Sequence, residues 1–145
     1  MNLEQAKSLL KENQASCLIF KNQELIYSSQ YIGVKPLLQF MKEDHFIDEN
    51  DKITLVDKVI GKAAMLLAAH IGISRVLTPV MSLEAVKVAE LYHIDYEASQ
   101  MVPYIINRQG TGKCPLELSV ENTEDLQQGL LNIQEAIAEL MKAKG

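Results

Sequence analysis

The sequence predicts an α/β fold. Between Lys52 and Ser99, apolar segments of strand length alternate with segments of helix length, and this alternation favours parallel strands joined by right-handed helical crossovers. Nearer the start, Ala15 to Lys21 and Glu24 to Ser29 are separated by a two-residue turn and predict an antiparallel hairpin. The length of 145 residues and the hydrophobic content of 48% suit one compact domain over residues 1–145.

The first half of the chain predicts a helix, the hairpin and a second helix. Leu3 to Glu12 is expected to be a short amphipathic helix, because its apolar side chains share one face (Leu3, Ala6, Leu9 and Leu10). Gly33 and Pro36 bracket the start of a helix that runs to about Lys42. The acidic loop that follows, Asp44 to Asp51, is expected to be a solvated connection.

The middle of the chain predicts alternating strands and helices. In chain order we predict a strand from Lys52 to Asp57, a helix from Val59 to His70, a strand from Arg75 to Thr78, a helix from Ser82 to Tyr92 and a strand from Asp95 to Ser99. Gly72 is expected to end the first of these helices in a left-handed conformation. Ser82 is expected to cap the start of the second.

The C-terminal part combines an irregular segment with a long helix. Met101 to Glu121 is interrupted by glycines and prolines and is predicted to be irregular. Asn122 to Ala143 predicts a helix, with Asn122 and Asp125 as a capping pair and with an apolar stripe (Leu126, Leu130, Ile133, Ile137 and Leu140). This stripe either packs on the sheet or forms a contact between subunits.

Charge and hydropathy argue against two classes of function. The net charge is −5 and the lysines are scattered, so no basic patch is available for nucleic acid. The N-terminal residues lack the charged start and apolar core of a signal peptide, and the longest nearly uncharged stretch, Ala63 to Ser74, is too short to span a bilayer. We therefore expect a soluble, cytoplasmic protein without nucleic-acid or membrane partners.

The cysteines and histidines indicate neither a disulfide framework nor a metal site. The chain has two cysteines, and Cys17 falls inside a predicted strand, where it is expected to be a small buried hydrophobe. His45, His70 and His93 do not share the spacing of a zinc site with one another, with a cysteine or with a carboxylate. No metal or other cofactor is predicted.

The junction from Asp57 to Ala64 carries the most candidate chemistry, because α/β proteins build sites where strands pass into helices. Lys58 and Lys62 place positive charge at a helix N-terminus, which the helix dipole disfavours unless an anion or acid is bound nearby. The alternative is that both side chains reach water. Gly61 in the first helical turn suggests close approach by a ligand or another backbone, and Asp57 could cap the helix.

A second cluster extends from Gly110 to Glu117. It is not a phosphate-binding P-loop, because only Gly112-Lys113 fits that motif and Cys114 stands where a hydroxyl is required. Pro115 suits the first position of a helix, which places Cys114 at the N-cap and Glu117 at the third helical position. A thiol at a helix N-terminus beside a lysine is expected to ionise more readily. Cys114 is therefore the candidate nucleophile, with an inert thiol as the alternative.

A third group just upstream consists of Tyr104, Asn107 and Arg108. Asn107 and Arg108 could contact a polar ligand. They could equally stabilise an irregular loop through hydrogen bonds from side chain to backbone. The second role is the more common one for such residues.

Two segments resemble those of a small, functionally uncharacterised bacterial family placed in the cytidine deaminase-like superfamily: Asp57-Lys58-Val59-Ile60-Gly61-Lys62-Ala63-Ala64 and Lys113-Cys114-Pro115-Leu116-Glu117. The resemblance extends from about Leu3 to Glu121. It implies a three-layer α/β/α fold with a mixed central sheet of about five strands. The helix at about 122–143 would be an addition to that fold.

The chain lacks the zinc motifs that the resemblance would lead one to seek. Zinc deaminases of that superfamily place a His- or Cys-x-Glu motif at one helix start and Pro-Cys-x-x-Cys at the next. The first start, Gly61-Lys62-Ala63, carries no such ligand, and Val80 and Leu83 stand where the second needs thiolates. Zinc-dependent deamination is therefore not expected, and whether the chain is an enzyme stays open.

Three hypotheses for function follow. The first is a zinc-free protein of deaminase-like fold that binds a small anionic or nucleotide-like ligand at the helix N-termini, through Asp57, Lys58, Gly61, Lys62 and Cys114, with Asn107 and Arg108 as further contacts. The second is a thiol enzyme in which Cys114 attacks a substrate and Lys62 or Asp57 assists proton transfer. The third is a non-catalytic module that self-associates through its C-terminal helix.

Overall fold

The structure is a computed structural model that describes residues 1–107 and 109–144. Its helices are α1 (Leu3–Glu12), α2 (Lys35–Lys42), α3 (Lys62–Ile71), α4 (Leu83–Leu91), α5 (Pro115–Ser119) and α6 (Leu126–Lys144). Its strands are β1 (Cys17–Lys21), β2 (Glu24–Ser29), β3 (Ile53–Asp57), β4 (Val59–Ile60), β5 (Arg75–Ser82) and β6 (Asp95–Val102). This order agrees with the predicted hairpin followed by alternating strands and helices.

The strands form one mixed sheet. β1 lies antiparallel to both β2 and β3, whereas β3, β4 and β6 all run parallel to β5. Lys58 alone separates β3 from β4, and the two pair with successive parts of β5, so they share one position in the sheet. The sheet therefore runs β2, β1, β3 with β4, β5 and β6. The predicted mixed sheet of about five strands is confirmed.

Helices cover both faces of this sheet. Side chains alternate along a strand, so β1 sends Leu18 to one face and Ile19 to the other. On the first face α1 packs its Leu10 near Leu18, Val56 and Leu77. On the second face α2, α3 and α4 enclose the larger apolar core. The result is a three-layer arrangement in which the crossover helices α3 and α4 begin at the carboxyl edge of the parallel strands.

The junction between strand and helix differs from the prediction. Val59 and Ile60 pair with Val80 and Met81 of β5, so the predicted helix start at Val59 is wrong. Pairing with a neighbouring strand decides the conformation of these two β-branched residues, which suit a strand as well as the apolar run of a helix. Gly61 is consequently the N-cap of α3 instead of a residue in its first turn.

Of four other predicted helix ends, three agree with the structure and one differs. Gly72 ends α3 with a φ of 97°, and the Ser82 side chain accepts a hydrogen bond from the Ala85 amide at 3.0 Å. At the start of α6 the cap is Asp125, whose carboxylate accepts from the Gln128 amide at 2.8 Å, so the assignment of Asn122 to the cap is wrong. The helix start predicted at Pro115 is confirmed by α5.

The apolar stripe of α6 faces the body of the protein. Ile133 is fully buried, and Leu126, Leu130 and Ile137 are half-buried against the main core. The helix packs mainly on α3 and α5, not on the sheet itself. None of the helices within residues 1–107 and 109–144 combines the length and apolar character needed to cross a membrane.

Candidate functional site

Three helix starts meet at the carboxyl edge of the parallel strands. The side chain of Glu117 in α5 reaches the first amides of α3. Lys113, just before α5, reaches Glu84 in the first turn of α4. The two motif-bearing segments singled out in the sequence therefore lie together, although about fifty residues separate them along the chain.

Glu117 caps α3 from outside the helix. Its carboxylate oxygens accept hydrogen bonds from the backbone amides of Lys62 at 2.6 Å and Ala63 at 2.8 Å. These are among the amides that the first helical turn leaves unpaired, and the N-cap Gly61 has no side chain to bind them. The N-terminus of α3 thus holds the negative charge that its dipole favours, supplied by the chain itself.

The environment of Glu117 is strongly desolvated. Burial raises the pKa of its carboxyl above the ordinary value, while the hydrogen bonds from Ala63 and Lys62 oppose that rise. The nearby carboxylate of Glu84 raises the pKa further, and Lys113 lowers it. The cap is therefore a buried acid whose ionised form is favoured by two amides and one ammonium but disfavoured by burial.

Gly61 is needed for space and not for backbone conformation, since its φ is −102°. A Cβ atom at this position would overlap the Glu117 carboxylate and would lie 2.7 Å from Cγ1 of Ile105. The sequence indicated close approach to Gly61 by a ligand or another backbone. The groups that approach it are side chains of this chain.

The lysines of the site differ in how they are engaged. The Lys62 side chain is buried, with its ammonium 3.1 Å from Oε1 of Glu124 and donating to the Glu121 carbonyl oxygen at 3.3 Å. Lys113 contacts Glu84 at 3.1 Å and Glu121 at 3.2 Å. Although burial lowers it, these two carboxylates raise the pKa of Lys113 above its ordinary value. Lys58 is exposed.

Asp57 is a buried acid directly opposite Cys17, on the neighbouring strand β1. It is 2% exposed, and its Oδ2 atom has no hydrogen-bond partner among the described residues. Burial raises the pKa of Asp57 to about 8, against smaller opposing effects of the Val59 and Lys58 amides and the Cys17 thiol. Burial, then Asp57 itself, also raises the pKa of Cys17 well above its ordinary value. Burial therefore favours the protonated, neutral form of Asp57.

The remaining candidate residues lie in and before α5. Cys114 is the half-buried N-cap of α5, and its side chain makes no capping hydrogen bond. Asn107 closes a turn, since its side-chain amide donates to Thr111 Oγ1 at 3.1 Å and accepts from the Thr111 amide at 3.0 Å. Arg108, the other predicted ligand contact, lies outside the described residues.

A mainly apolar cleft of about 400 Å³ opens beside this cluster. Its lining comes from the ends of β4, β5 and β6 and from the segment after β6: Val59, Val80, Val102, Pro103, Tyr104, Ile105 and Ile106. Sequence reasoning singled out Tyr104 but missed the cleft, because the lining residues form no motif and only the sheet brings them together. A larger, shallow hollow of about 860 Å³ near Arg75 and Asp95 lies at the opposite end of β5 and β6, where these strands begin, away from the candidate residues.

The helix starts do not provide a zinc site. Lys62 and Ala63 open α3, and Leu83 and Glu84 open α4, which leaves one carboxylate as the possible zinc ligand among these four side chains. That carboxylate is bound by the ammonium of Lys113. Within the part of the chain that the structure describes, no group of three or more His, Cys, Asp or Glu residues is arranged to hold a metal ion.

Replacing Asp57 with Asn should change how stability depends on pH. A carboxyl with a pKa of 3.8 when unfolded and about 8 when folded binds a proton more tightly in the folded state. Its contribution to stability is therefore complete below pH 4 and is lost as pH rises to 8. Asp57→Asn removes this titration. At pH 8 the free energy of unfolding of the variant should therefore exceed that of the parent protein by several kcal/mol, since each pKa unit corresponds to ~1.4 kcal/mol.

Urea unfolding at intervals from pH 4 to 9 measures the effect. The exposed Asp44, changed to Asn, is the matched control and should leave the pH dependence unaltered. Parallel curves for the Asp57 variant and the parent protein would show that Asp57 is not buried as a neutral acid.

Gly61→Ala should destabilise the fold through the side chains that crowd it. Overpacking at a rigid contact costs about 1–3 kcal/mol. In a Glu117→Ala background the cost should fall to less than half, because the overlapping carboxylate is gone and the Ile105 side chain can shift. Gly112→Ala is the control, since a Cβ there meets nothing within 4 Å. Strictly additive free energies of unfolding in this double-mutant cycle would contradict the contact.

Comparison with known proteins places the chain in a family. The family model described as "TM1506: Domain of unknown function (DUF1893)" matches residues 5–137. A crystal structure of a DUF1893 family protein, TM1506 from Thermotoga maritima, is similar with a TM-score of 0.78 and 21% identity, over 94% of this chain and 88% of that one. No curated protein matches the chain. Because the family model spans most of its length, the chain belongs to the DUF1893 family.

Proposed function

We propose that this chain is a binding protein for a small ligand with a planar, largely apolar body and an anionic group, a description that fits a nucleotide-like molecule. The observation that carries the proposal is the cleft at the ends of β4, β5 and β6. Ligands of open α/β sheets bind outside the carboxyl ends of the strands, and small-molecule sites are mostly apolar with few polar groups.

Two side chains, one that lines the cleft and one next to a lining residue in the chain, match the two parts of such a ligand. Tyr104 lines the cleft and is 41% exposed, so its ring can stack on a planar group. Lys58 is exposed and directly precedes Val59, another lining residue. Its ammonium is the basic group assigned to the anionic part of the ligand, with Gly61 close by.

This assignment differs from the sequence-based hypothesis in where the anion binds. Glu117 already occupies the first amides of α3, and Glu124 already pairs with the Lys62 ammonium. An external anion at that helix start would have to displace a carboxylate of the chain. The cleft and Lys58 require no such exchange.

We also propose that the fold is related to the cytidine deaminase-like superfamily. The mixed sheet with an antiparallel β1, and the two crossover helices that begin at its carboxyl edge, support this relation. Zinc-dependent deamination is not part of the proposal, because the helix starts carry a lysine, an alanine and a carboxylate bound by an ammonium. A shared fold does not carry an activity with it.

The thiol enzyme is the second candidate, favoured by one observation: the half-buried Cys114 side chain takes no part in capping α5. Its surroundings support catalysis less well. The Lys113 ammonium is bound by two carboxylates, and the α3 amides that could stabilise an oxyanion are bound by Glu117. Lys62 and Asp57, the proposed proton-transfer groups, are both buried.

Binding of nucleoside monophosphates tests the leading proposal. Adenosine, cytidine and uridine monophosphates are the probes, and shifts in the NMR signals of Val80, Val102 and Ile106 report binding in the cleft. Tyr104→Ala should weaken the best probe about tenfold or more, since stacking of a base on an aromatic ring contributes about 1–3 kcal/mol.

Tyr31→Ala is the matched control for this experiment. Tyr31 is 51% exposed, and like Tyr104 it has a lysine ammonium near its ring. The distance from the ammonium nitrogen to the ring centroid is 3.8 Å for Tyr31 and 5.7 Å for Tyr104. It does not line the cleft, so its loss should leave affinity unchanged. Cleft signals that respond to none of the probes, or an equal loss of affinity in both variants, would count against the proposal.

Cys114→Ser separates the binding protein from the thiol enzyme. If the chain is a binding protein, this variant should bind the same probes with unchanged affinity, because Cys114 does not line the cleft. Mass spectrometry of protein purified directly from cells provides the second measurement. An adduct on Cys114, with the fully buried Cys17 unmodified as the internal reference, would favour the thiol enzyme instead.

A further inference from the structure

The short helix α5 and the residues before it are anchored in an unusual way. We refer to residues Lys113–Ser119 as the latch. The one residue of the latch that is buried is Glu117, a carboxylate. Segments that stay docked usually bury apolar side chains, whereas burial of an ionised group opposes docking. Leu116 adds a half-buried apolar contact with the main core, but the fully buried contact of the latch is polar and can be exchanged for water.

The side-chain contacts that tie the latch to the starts of α3 and α4 are polar. Glu117 binds the Lys62 and Ala63 amides, and the Lys113 ammonium lies 3.1 Å from Glu84 of α4. Ion pairs near the surface contribute about 1 kcal/mol or less. The Oε1 atom of Glu84 has no partner among the described residues, so this contact is also incompletely satisfied.

The latch carries part of the cleft wall with it. The Cys114 amide donates to the Ile105 carbonyl oxygen at 2.9 Å, and Ile106 pairs with Lys113 as an isolated antiparallel bridge. Ile105 and Ile106 both line the cleft. A movement of the latch away from α3 would consequently move two lining residues.

We propose that the latch detaches from the N-terminus of α3 and returns to it as a unit, which we call its opening and closing. The contact of Glu117 with the α3 amides holds the latch closed, and its opening widens the cleft. Gly61 leaves the space into which Glu117 and Ile105 close. The role in widening the cleft rests on the proposed function. The opening itself does not.

Native-state amide exchange followed by NMR tests the opening in the unaltered protein. Local openings that expose a cooperative unit give its amides a common free energy, below that of global unfolding. The amides held by or within the latch, those of Lys62, Ala63, Cys114 and Leu118, should share one opening and exchange at least tenfold faster than those of Leu66 and Leu67 in α3. Equal protection of both sets would overturn the latch.

Glu117→Gln shows whether Glu117 holds the latch closed or only caps α3. The amide keeps the size of the side chain but has one acceptor oxygen in place of two and carries no charge. All four latch amides should then exchange at least tenfold faster than in the parent protein, with Leu66 and Leu67 unchanged. Faster exchange confined to Lys62 and Ala63 would show that Glu117 only caps α3, and it would contradict the proposed opening of the latch as a unit.

Glu121→Gln is the matched control, because the Glu121 side chain pairs with Lys113 and its contact with α3 is made by its backbone carbonyl oxygen, which the substitution keeps. It should change exchange at the latch amides less than threefold. An effect as large as that of Glu117→Gln would mean that the general charge of the region, and not the contact with α3, holds the segment.

The nucleoside monophosphate that binds best connects the latch to the cleft. When bound, it should slow exchange at the four latch amides at least threefold. If the probe binds and this exchange is unchanged, the latch does not control the cleft. If none of the probes binds while the latch amides still share one opening, the proposed ligand is wrong and the opening of the latch stands.

Discussion

The hydrogen bonds from the first amides of α3 to the Glu117 carboxylate determine the arrangement of the whole carboxyl edge. They require position 61 to lack a side chain, and they bring α5 against α3. The positions of Lys113 and Ile105 are fixed in turn, because α5 is joined to both through the residues that precede it. A helix start at such an edge is a common place for a bound phosphate or carboxylate. In this chain the carboxylate is covalently part of the protein.

The charges around that contact are not balanced. Four carboxylates, Glu84, Glu117, Glu121 and Glu124, surround the two ammonium groups of Lys62 and Lys113. With every group ionised the cluster carries 4 − 2 = 2 excess negative charges, which is consistent with the raised pKa of Glu117. An added anion would be repelled here. This imbalance is a second reason to assign the anionic part of a ligand to Lys58, outside the cluster.

Local patterns predicted the elements well and the contacts between them poorly. The helix start at Cys114 and Pro115 was visible in the sequence, since proline and a third-position glutamate mark such starts. The partner of Glu117 was not visible, because it lies in another helix and no spacing relates the two. For the same reason the sequence could not show that Cys17 faces Asp57, which depends on strand register. Val59 and Ile60 were assigned to a helix because sheet pairing left no mark on their local pattern.

Two buried side-chain oxygens without hydrogen-bond partners lie at this edge, independently of the cleft. Folded proteins pair nearly all such atoms, and the exceptions require an explanation. Among the side-chain nitrogen and oxygen atoms of the described residues, the two exceptions are Oδ2 of Asp57, at the end of β3, and Oε1 of Glu84, in the first turn of α4. Both lie where the parallel strands end. A fold selected for stability alone would have replaced Asp57 with an apolar residue, because its burial opposes folding at neutral pH. The free energy of folding that is lost here is concentrated where the chain also places its cleft and its latch.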